Sequence, residues 1–306
     1  MKAIEIRQET NYWLIRAGVG TKFFEEFYRD SCVAIGWDRI GKIGDENGMM
    51  SIEELKYLVE IEYQDLLSKK ESGKECRRKV SEIAAKIYRF TYEVKEGDIV
   101  ITPGDDSVLI GRVVGDVYIE NNKYISKPES LEEQYIGELN KIRRVVWIKK
   151  IDKEKLEPNI KLELRVVHGL SKISNKQVIT EINRTIYSYY TYNDETHSVY
   201  RIKNQRDIDF EKYAKFISCI YDIYSEIRSE NDSLYIKSNI NSPGPIELFG
   251  KATLVERITM IMQIAFKSGE LYRQDVVSEQ PIIDKIRDKY KDTDYDDFVF
   301  PKGGQA

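Results

Sequence analysis

Two short apolar segments of this sequence carry side chains that could bind a flat aromatic ligand. The first, Tyr12–Ala17 (YWLIRA), places Trp13 and Arg16 three residues apart, and the second, Val33–Asp38 (VAIGWD), has Trp37 near its end. An indole offers a large stacking face, and a guanidinium can donate to a base edge or a phosphate. Tryptophan is also a common core residue and arginine a common surface residue, so packing and ligand binding are both compatible with the pattern.

No familiar catalytic motif accompanies these segments. Gly18 and Gly20 form only a G-x-G, without the third glycine and downstream acid of a dinucleotide-binding fold. Neither a P-loop nor a G-x-S-x-G elbow occurs. Asp232 with Tyr235–Lys237 (YIK) has the lysine of a metal-dependent nuclease but lacks the second carboxylate. We therefore predict no catalytic residue, no metal site and no cofactor.

The composition indicates a globular protein with a strongly charged surface. Of the 306 residues 41% are hydrophobic and 33% charged, and the formal net charge of −4 argues against coating nucleic acid by charge alone. Three widely separated cysteines give neither a disulfide framework nor metal-ligand spacing. No apolar run reaches membrane-spanning length and no leader opens the sequence. We expect a cytoplasmic protein without a membrane partner.

Apolar periodicity predicts an α+β fold, because strand-like and helix-like segments alternate along the chain. Strands are expected at residues 12–17 and 32–37, Arg143–Lys149, Leu162–Val167 and Ser233–Ile240. Helices are expected at Lys22–Asp30, Ser51–Lys69, Lys79–Phe90, Asp209–Arg228 and Thr253–Phe266. The second of these helices opens with Ser51 and Glu54 at the spacing of a capping box.

A hairpin is predicted across Lys95–Ile119, where two apolar strands are joined by Pro-Gly-Asp-Asp. Gly111 and Gly115 interrupt the second, β-branched strand. A glycine inside a strand marks a bulge or a close approach of another backbone or a ligand. A barrel corner and a pocket floor both fit these glycines.

A polar, tyrosine-rich connection near residues 185–208 is expected to divide the chain into two domains. The domains would be residues 1–185 and a smaller helix-strand-helix α+β module, 186–306, for oligomerisation or partner contact. The last segment, DKYKDTDYDDFVFPKGGQA, is acidic and ends in Gly and Pro, which is typical of a loose tail.

The order of YWLIRAGVG, VAIGWDRIGKIGD, the hairpin, RRVVWIKKI and RVVHGLSKIS resembles the N-terminal module of Mrr-like restriction proteins and related prokaryotic defence proteins. That module belongs to the PUA-like superfamily, which includes the EVE and YTH domains. The resemblance covers about residues 1–175. It implies a small curved β-barrel with inserted helices, whose EVE and YTH members hold a flipped, modified base in an aromatic pocket.

Carried over by position, the resemblance assigns base-binding roles to residues at the ends of the predicted strands. The EVE-type Ser-Glu-Pro after the first strand is absent, and RAGVG stands in its place. The predicted base-binding residues are Trp37, Arg16, Trp13, Thr102, Pro103, Gly111 and Tyr118.

Two basic segments, Lys69–Lys79 and Lys141–Lys150, could hold phosphates. Acidic residues interleave with them, so a solvated surface is the other interpretation. The predicted phosphate-binding residues are Arg77, Arg78, Lys79, Arg143 and Arg144. His168, after two valines, fits a strand end and is also a candidate for binding.

The function that these observations favour is recognition of a modified, methylated DNA base by base flipping, with DNA preferred over RNA as partner. The restriction or anti-phage setting comes wholly from the resemblance. Two alternatives stay open: a Mg²⁺-dependent nuclease that uses Asp232 or Glu247, and a sensor that binds a small nucleotide signal. A homo-oligomer and a separate effector protein are further partners that the sequence leaves open.

Overall fold

The computed structural model describes residues 2–41, 44, 48–68, 73–125, 127–165, 169–203, 209–238, 245–266 and 274–302. The chain divides into two compact units. We call Thr10–Glu181 the N-terminal unit, and Met1–Glu9 with Ile182–Ala306 the C-terminal unit.

Strands and helices alternate, and the fold is α+β, as the periodicity predicts. The strands are β1 (Ile4–Glu5), β2 (Tyr12–Ile15), β3 (Cys32–Ile35), β4 (Ile99–Pro103), β5 (Ser107–Ile119), β6 (Lys141–Asp152), β7 (Leu170–Ile173), β8 (Tyr189–Tyr192), β9 (Glu195–Ile202), β10 (Leu234–Lys237), β11 (Ile246–Gly250) and β12 (Phe298–Val299). The helices are α1 (Phe24–Arg29), α2 (Ile52–Glu62), α3 (Gln64–Leu67), α4 (Gly73–Tyr88), α5 (Leu131–Ile136), α6 (Pro158–Glu163), α7 (Lys176–Ile186), α8 (Phe210–Ile227), α9 (Ala252–Phe266) and α10 (Gln280–Lys289).

The N-terminal unit is built on one sheet with the strand order β3-β6-β5-β4-β2-β7. β2 runs parallel to β4, and the other neighbours are antiparallel. β3 and β7 are the two ends of this order, so the described strands form a curled sheet whose edges do not pair, and the PUA-like barrel that the resemblance implies stays a prediction. The predicted hairpin is confirmed as β4 and β5. The register of β5 with its other neighbour, β6, shifts at Gly111 and again before Tyr118.

Helices α1 to α5 are inserted between the strands, and the apolar side chains of α2 and α4 join the core of the sheet. The capping box at the start of α2 is confirmed, because the Ser51 hydroxyl accepts from the Glu54 backbone N–H and the Glu54 carboxylate accepts from the Ser51 N–H. This reciprocal pair satisfies two of the N–H groups that a helix start leaves without partners.

The prediction of a strand at Leu162–Val167 is wrong for residues 162–165, the part of it that the structure describes. Pro158 occupies the first turn of α6, and the helix runs to Glu163. Proline suits this position because it has no N–H to lose and its φ is fixed near the helical value. The strand of this region comes later, as β7 (Leu170–Ile173), which pairs with β2.

The C-terminal unit contains a second sheet, ordered β1-β8-β9-β11-β10, with β12 paired to β9. Its first strand comes from the start of the chain, since Ile4 aligns with Tyr190 in a parallel pair. The helices α8, α9 and α10 bury their apolar faces in one core with Tyr200, Ile246 and Leu248 of the sheet. None of the helices in the described ranges has the length and apolarity needed to cross a membrane.

Two further predictions for this unit are wrong. Residues 185–208 do not form an irregular connection, because their described part contains β8 and β9 as an antiparallel hairpin. The supposed loose tail is packed in the part that the structure describes, up to residue 302, since Tyr290, Tyr295, Phe298 and Phe300 lie in the core. The aromatic residues within the acidic segment bury enough apolar area to outweigh its charge.

A candidate ligand-binding pocket beside Trp37

The N-terminal unit contains a pocket of about 410 Å³ that opens beside Trp37. A volume of this size lies within the range of roughly 300–1,000 Å³ that small-molecule sites occupy. The lining is mostly apolar and comes from the chain after β2, the end of β3, α4 and α5. The lining residues are Arg16, Gly18, Val19, Gly20, Ala34, Ile35, Gly36, Trp37, Lys86, Glu132, Ile136, Leu139 and Gly169.

The wall that carries Trp37 is a sharp turn after β3. A Cβ on Gly36 would run into the carbonyl group and side chain of Ile136, so only glycine lets the chain pass this close to α5. Trp37 then adopts φ = 62°, the left-handed region that non-glycine residues seldom occupy. Such a conformation costs about 1–3 kcal/mol, and outliers of this kind cluster at functional sites.

The backbone of Trp37 is held in this conformation by three hydrogen bonds. Its N–H donates to the Ile136 carbonyl at 2.5 Å, and its own carbonyl accepts from the Ile40 N–H at 3.0 Å. The same carbonyl accepts from the Lys141 ammonium at 2.9 Å. The indole position is therefore set by α5, by the turn itself and by the first residue of β6.

Lys141 is a fully buried lysine whose ammonium group has only neutral oxygens around it. Besides the Trp37 carbonyl, its Nζ donates to Asn140 Oδ1 at 3.1 Å and lies 3.5 Å from the Gly36 carbonyl. Burial lowers the pKa of Lys141 to about 8, against a smaller opposing effect of the Asp38 carboxylate. The turn that positions Trp37 thus depends on a group that titrates near neutral pH.

The indole of Trp37 packs in the core and is 4% exposed. Its Nε1 is buried and has no hydrogen-bond partner in the described part of the chain. An unpaired buried donor costs about 1–3 kcal/mol, and most buried polar groups in native proteins are paired. A ligand atom that accepts from this N–H would remove the cost.

Lys86 brings a second donor to the pocket from α4. Its Nζ lies 5.4 Å from the centre of the Trp37 ring, and the side chain is half-buried. Within the described residues Lys86 makes no ion pair, because Glu132 binds Lys79 and Glu82 binds Arg78. Desolvation lowers the pKa of Lys86. An ammonium without a counterion in an apolar pocket favours an acceptor-bearing ligand.

Arg16, which directly follows β2, also lines the pocket. One of its nitrogens donates to the Leu164 carbonyl at 2.8 Å. The glycines that follow it, Gly18 and Gly20, have φ values of 79° and 59°, so this segment can curve around the pocket where other residues would be strained. The structure therefore brings Arg16 and Trp37 together in the lining of one pocket, and a role in base binding stays a prediction.

The other predicted base-binding residues do not line this pocket. Trp13 is fully buried, and its Nε1 donates to Asp98 at 2.8 Å. Asp98 also accepts from the backbone N–H groups of Asn11 and Lys95, so the pair fastens β2 to the start of β4. The prediction that Trp13 binds the base is corrected to a role in the core. Its ring is fully buried and its N–H donates to Asp98, so both are already in contact with the protein.

The hairpin residues are likewise structural. Thr102 and Pro103 are buried at the end of β4. A Cβ on Gly111 would lie 2.5 Å from a Val145 methyl and 2.6 Å from the Trp147 ring, so this glycine lets β6 pack closely at the bulge. Tyr118 is half-buried and packs against the core. These positions build the sheet and not the pocket.

Two of the five predicted phosphate-binding assignments, those of Arg143 and Lys79, are corrected to structural roles. Arg143 is buried and donates to the carbonyls of Phe90, Thr91 and Gly115, at 2.8 to 3.0 Å. These bonds hold β6 against the residues that follow α4, Phe90 and Thr91, and against β5.

Of the remaining four cations, three lie on the surface and Lys79 is largely buried. Lys79 pairs with Glu132 and lies over the Tyr135 ring, which leaves it 12% exposed. Arg78 is exposed and pairs with Glu82, while Arg77 and Arg144 are exposed. His168 and the 69–72 part of the first basic segment lie outside the described residues.

The two carboxylates of the nuclease alternative lie in the C-terminal unit. Glu247 is buried and accepts from Tyr190, His197 and Arg184, which together lower its pKa against the effect of burial. Asp232 is bound by Lys251. The described residues contain no group of three or more His, Cys, Asp or Glu side chains that could hold a metal ion.

Over residues 13–171 the chain matches the model of a family described as a domain of unknown function, DUF8426. The chain belongs to this family. The matched residues lie within the N-terminal unit and span every residue that lines the pocket. No curated protein matches the sequence.

Sequence reasoning missed the part of the pocket that comes from the helices. Lys86 lies between the buried Ile83 and Ile87 on α4, which places it at the border of the apolar face. That position is the only sequence signal, and a lysine there usually extends its ammonium to solvent. Ile136 and Leu139 carried no signal, because their segment has no marked periodicity.

Proposed function

We propose that the N-terminal unit is a nucleic-acid reader that holds one unstacked, modified DNA base in the Trp37 pocket. The observation that carries the proposal is the buried, unpartnered indole N–H of Trp37 in the wall of an apolar pocket whose other polar lining includes Lys86 and Arg16. A nucleobase offers the apolar faces and the edge acceptors that such a lining would bind.

The resemblance to PUA-like modules supports the same proposal. In its EVE and YTH members an aromatic pocket takes a flipped, modified base, and Trp37 was placed at the pocket from that likeness. The PUA-like identity, the defence setting, the partner effector and a homo-oligomer remain parts of the proposal.

Entry of a base requires a local movement, because the Lys86 ammonium lies over the indole and the ring is 4% exposed. Unstacking the base costs a few kcal/mol more. Stacking contributes about 1–3 kcal/mol per base, and each hydrogen bond to a charged group contributes about 1.5–3 kcal/mol. These gains are large enough to offset the cost, and we expect a preference for bases that unstack easily.

Binding of labelled duplexes that differ at one central base, plain or methylated, tests the proposal when anisotropy is measured across salt concentrations. The protein is expected to prefer one base chemistry, and Trp37→Phe should reduce that preference at least about tenfold, since it removes one N–H donor and part of the ring. Trp147→Phe is the matched control, because Trp147 donates to the Phe27 carbonyl outside the pocket.

Equal affinity for plain and modified duplexes in the wild type would overturn the reader proposal. Binding of mononucleotides but of no oligonucleotide would favour the sensor alternative. In either case Trp147→Phe must keep wild-type behaviour for the comparison to report on the pocket.

A further inference from the structure

We infer that the Trp37 pocket selects an oxo base, which presents a carbonyl oxygen at the position where adenine and cytosine carry an amino group. The inference rests on the proposed function and names the class of base that the pocket would take.

Most of the polar side chains in the pocket wall are hydrogen-bond donors. Trp37 Nε1 and Lys86 Nζ are donors, and neither has a hydrogen-bond or ion-pair partner in the described residues. The guanidinium of Arg16 also has only donors. Glu132 is the acceptor among the lining side chains; it binds Lys79 and keeps further lone pairs on its carboxylate.

Three backbone carbonyls of the pocket wall already accept hydrogen bonds within the protein, although a carbonyl that accepts one bond keeps a second lone pair. The Ile136 carbonyl accepts from the Trp37 N–H, and the Gly169 carbonyl accepts from the Arg16 N–H. The Trp37 carbonyl accepts from Ile40 and from Lys141. The polar side chains of the wall that have no partner among the described residues are therefore donors, and one of them, Lys86, is a cation.

An oxo group and an amino group would interact differently with these donors. A carbonyl oxygen has two lone pairs, so it has the capacity to accept from Trp37 Nε1 and Lys86 Nζ together once the movement that admits the base has uncovered the indole N–H. An amino group at the same place is itself a donor and would face two other donors. The amino group, the Trp37 N–H and the Lys86 ammonium would then all remain unpaired in a desolvated pocket. Sites built to pair with one group reject its counterpart strongly for this reason.

Bases in this class are uracil-type pyrimidines and guanine- or hypoxanthine-type purines. A substituent elsewhere on the ring, such as a methyl or hydroxymethyl group at C5 of a pyrimidine, is compatible with this edge and would occupy apolar wall. The modification on the ring and the base edge that accepts from the donors are therefore independent features of the ligand.

The test uses strands of about nine abasic residues with one central base, so that no pairing energy and no other base contributes to affinity. Two pairs differ by the amino-to-oxo exchange and by the proton that it adds to the neighbouring ring nitrogen: 5-hydroxymethylcytosine with 5-hydroxymethyluracil, and adenine with hypoxanthine. In each pair the oxo strand is expected to bind wild-type protein about ten- to a hundredfold more tightly, the equivalent of one hydrogen bond to a charged group.

Variants at Lys86 identify the group that reads the edge. Lys86→Met should lose most of the oxo preference, and Lys86→Gln should narrow it to within about threefold, since an amide can donate or accept. Lys74→Met is the matched control: it removes an exposed lysine of the same helix outside the pocket and should keep the wild-type ratio. Tryptophan-fluorescence melts of each variant show that the unit is folded.

Equal binding of both members of each pair, or preference for the amino member, overturns the oxo inference, and the reader proposal survives if that binding still depends on Trp37. If a base-bearing strand binds no better than an all-abasic strand, both fail. Loss of affinity in Lys86→Met with an unchanged oxo-to-amino ratio would also overturn the role given to Lys86.

Discussion

Replacing Lys141 with methionine should remove a specific pH dependence from the stability of the N-terminal unit. The Lys141 ammonium is fully buried, bonds only neutral oxygens and has its pKa lowered by burial from 10.5 to about 8. Between these two pKa values the unfolded chain binds more protons than the folded chain. The free energy of unfolding therefore rises with pH across this window and is flat below it.

The size of the effect follows from the pKa difference. Each pKa unit corresponds to about 1.4 kcal/mol, so the charged Lys141 destabilises the folded unit by about 3 kcal/mol at pH 7. Between about pH 7 and pH 9.5 roughly 2 kcal/mol of this penalty should disappear in the wild type. In Lys141→Met this contribution is absent at every pH.

The measurement is urea denaturation of both proteins at several pH values between about 7 and 9.5, followed by tryptophan fluorescence. All three tryptophans, Trp13, Trp37 and Trp147, lie in the N-terminal unit, so the signal reports on that unit. Taking the difference between the two proteins cancels the titration of other lysines and of tyrosines. A difference that stays constant within about 0.3 kcal/mol over this range would refute the argument that Lys141 is buried as a cation.

Two other substitutions test the corrected assignments. Arg143→Met should destabilise the N-terminal unit by about 2–4 kcal/mol, because it leaves buried carbonyls without a donor, and should not change the salt dependence of oligonucleotide binding; a smaller salt slope with unchanged stability would restore the phosphate assignment. Phe298→Ala should destabilise the C-terminal unit by about 3–5 kcal/mol in urea denaturation followed by tyrosine fluorescence, because the ring is fully buried and stacks on Phe216 at 4.1 Å; a change below about 1 kcal/mol would support a loose tail.

Local patterns predicted the elements whose signals lie within a few residues. Ser51 and Glu54 form the capping box because both partners sit in one turn, and the Pro-Gly-Asp-Asp hairpin forms because its turn fixes the pairing of β4 with β5. The strand expected at Leu162–Val167 failed where Pro158 starts a helix just before it. The aromatic residues of the acidic C-terminal segment were underestimated, because burial depends on partners far away in the chain.

The sequence by itself determined that two apolar strands end beside Trp37 and Arg16, since apolar runs and the residues at their ends are local properties. Only the tertiary structure decided which indole faces a pocket. Trp13 and Trp37 have the same chemistry, but Asp98 pairs with the first, and the N–H of the second has no partner among the residues that the structure describes. That difference arises from hydrogen bonds and packing between residues up to 105 positions apart, as between Lys141 and Gly36, which no local pattern encodes.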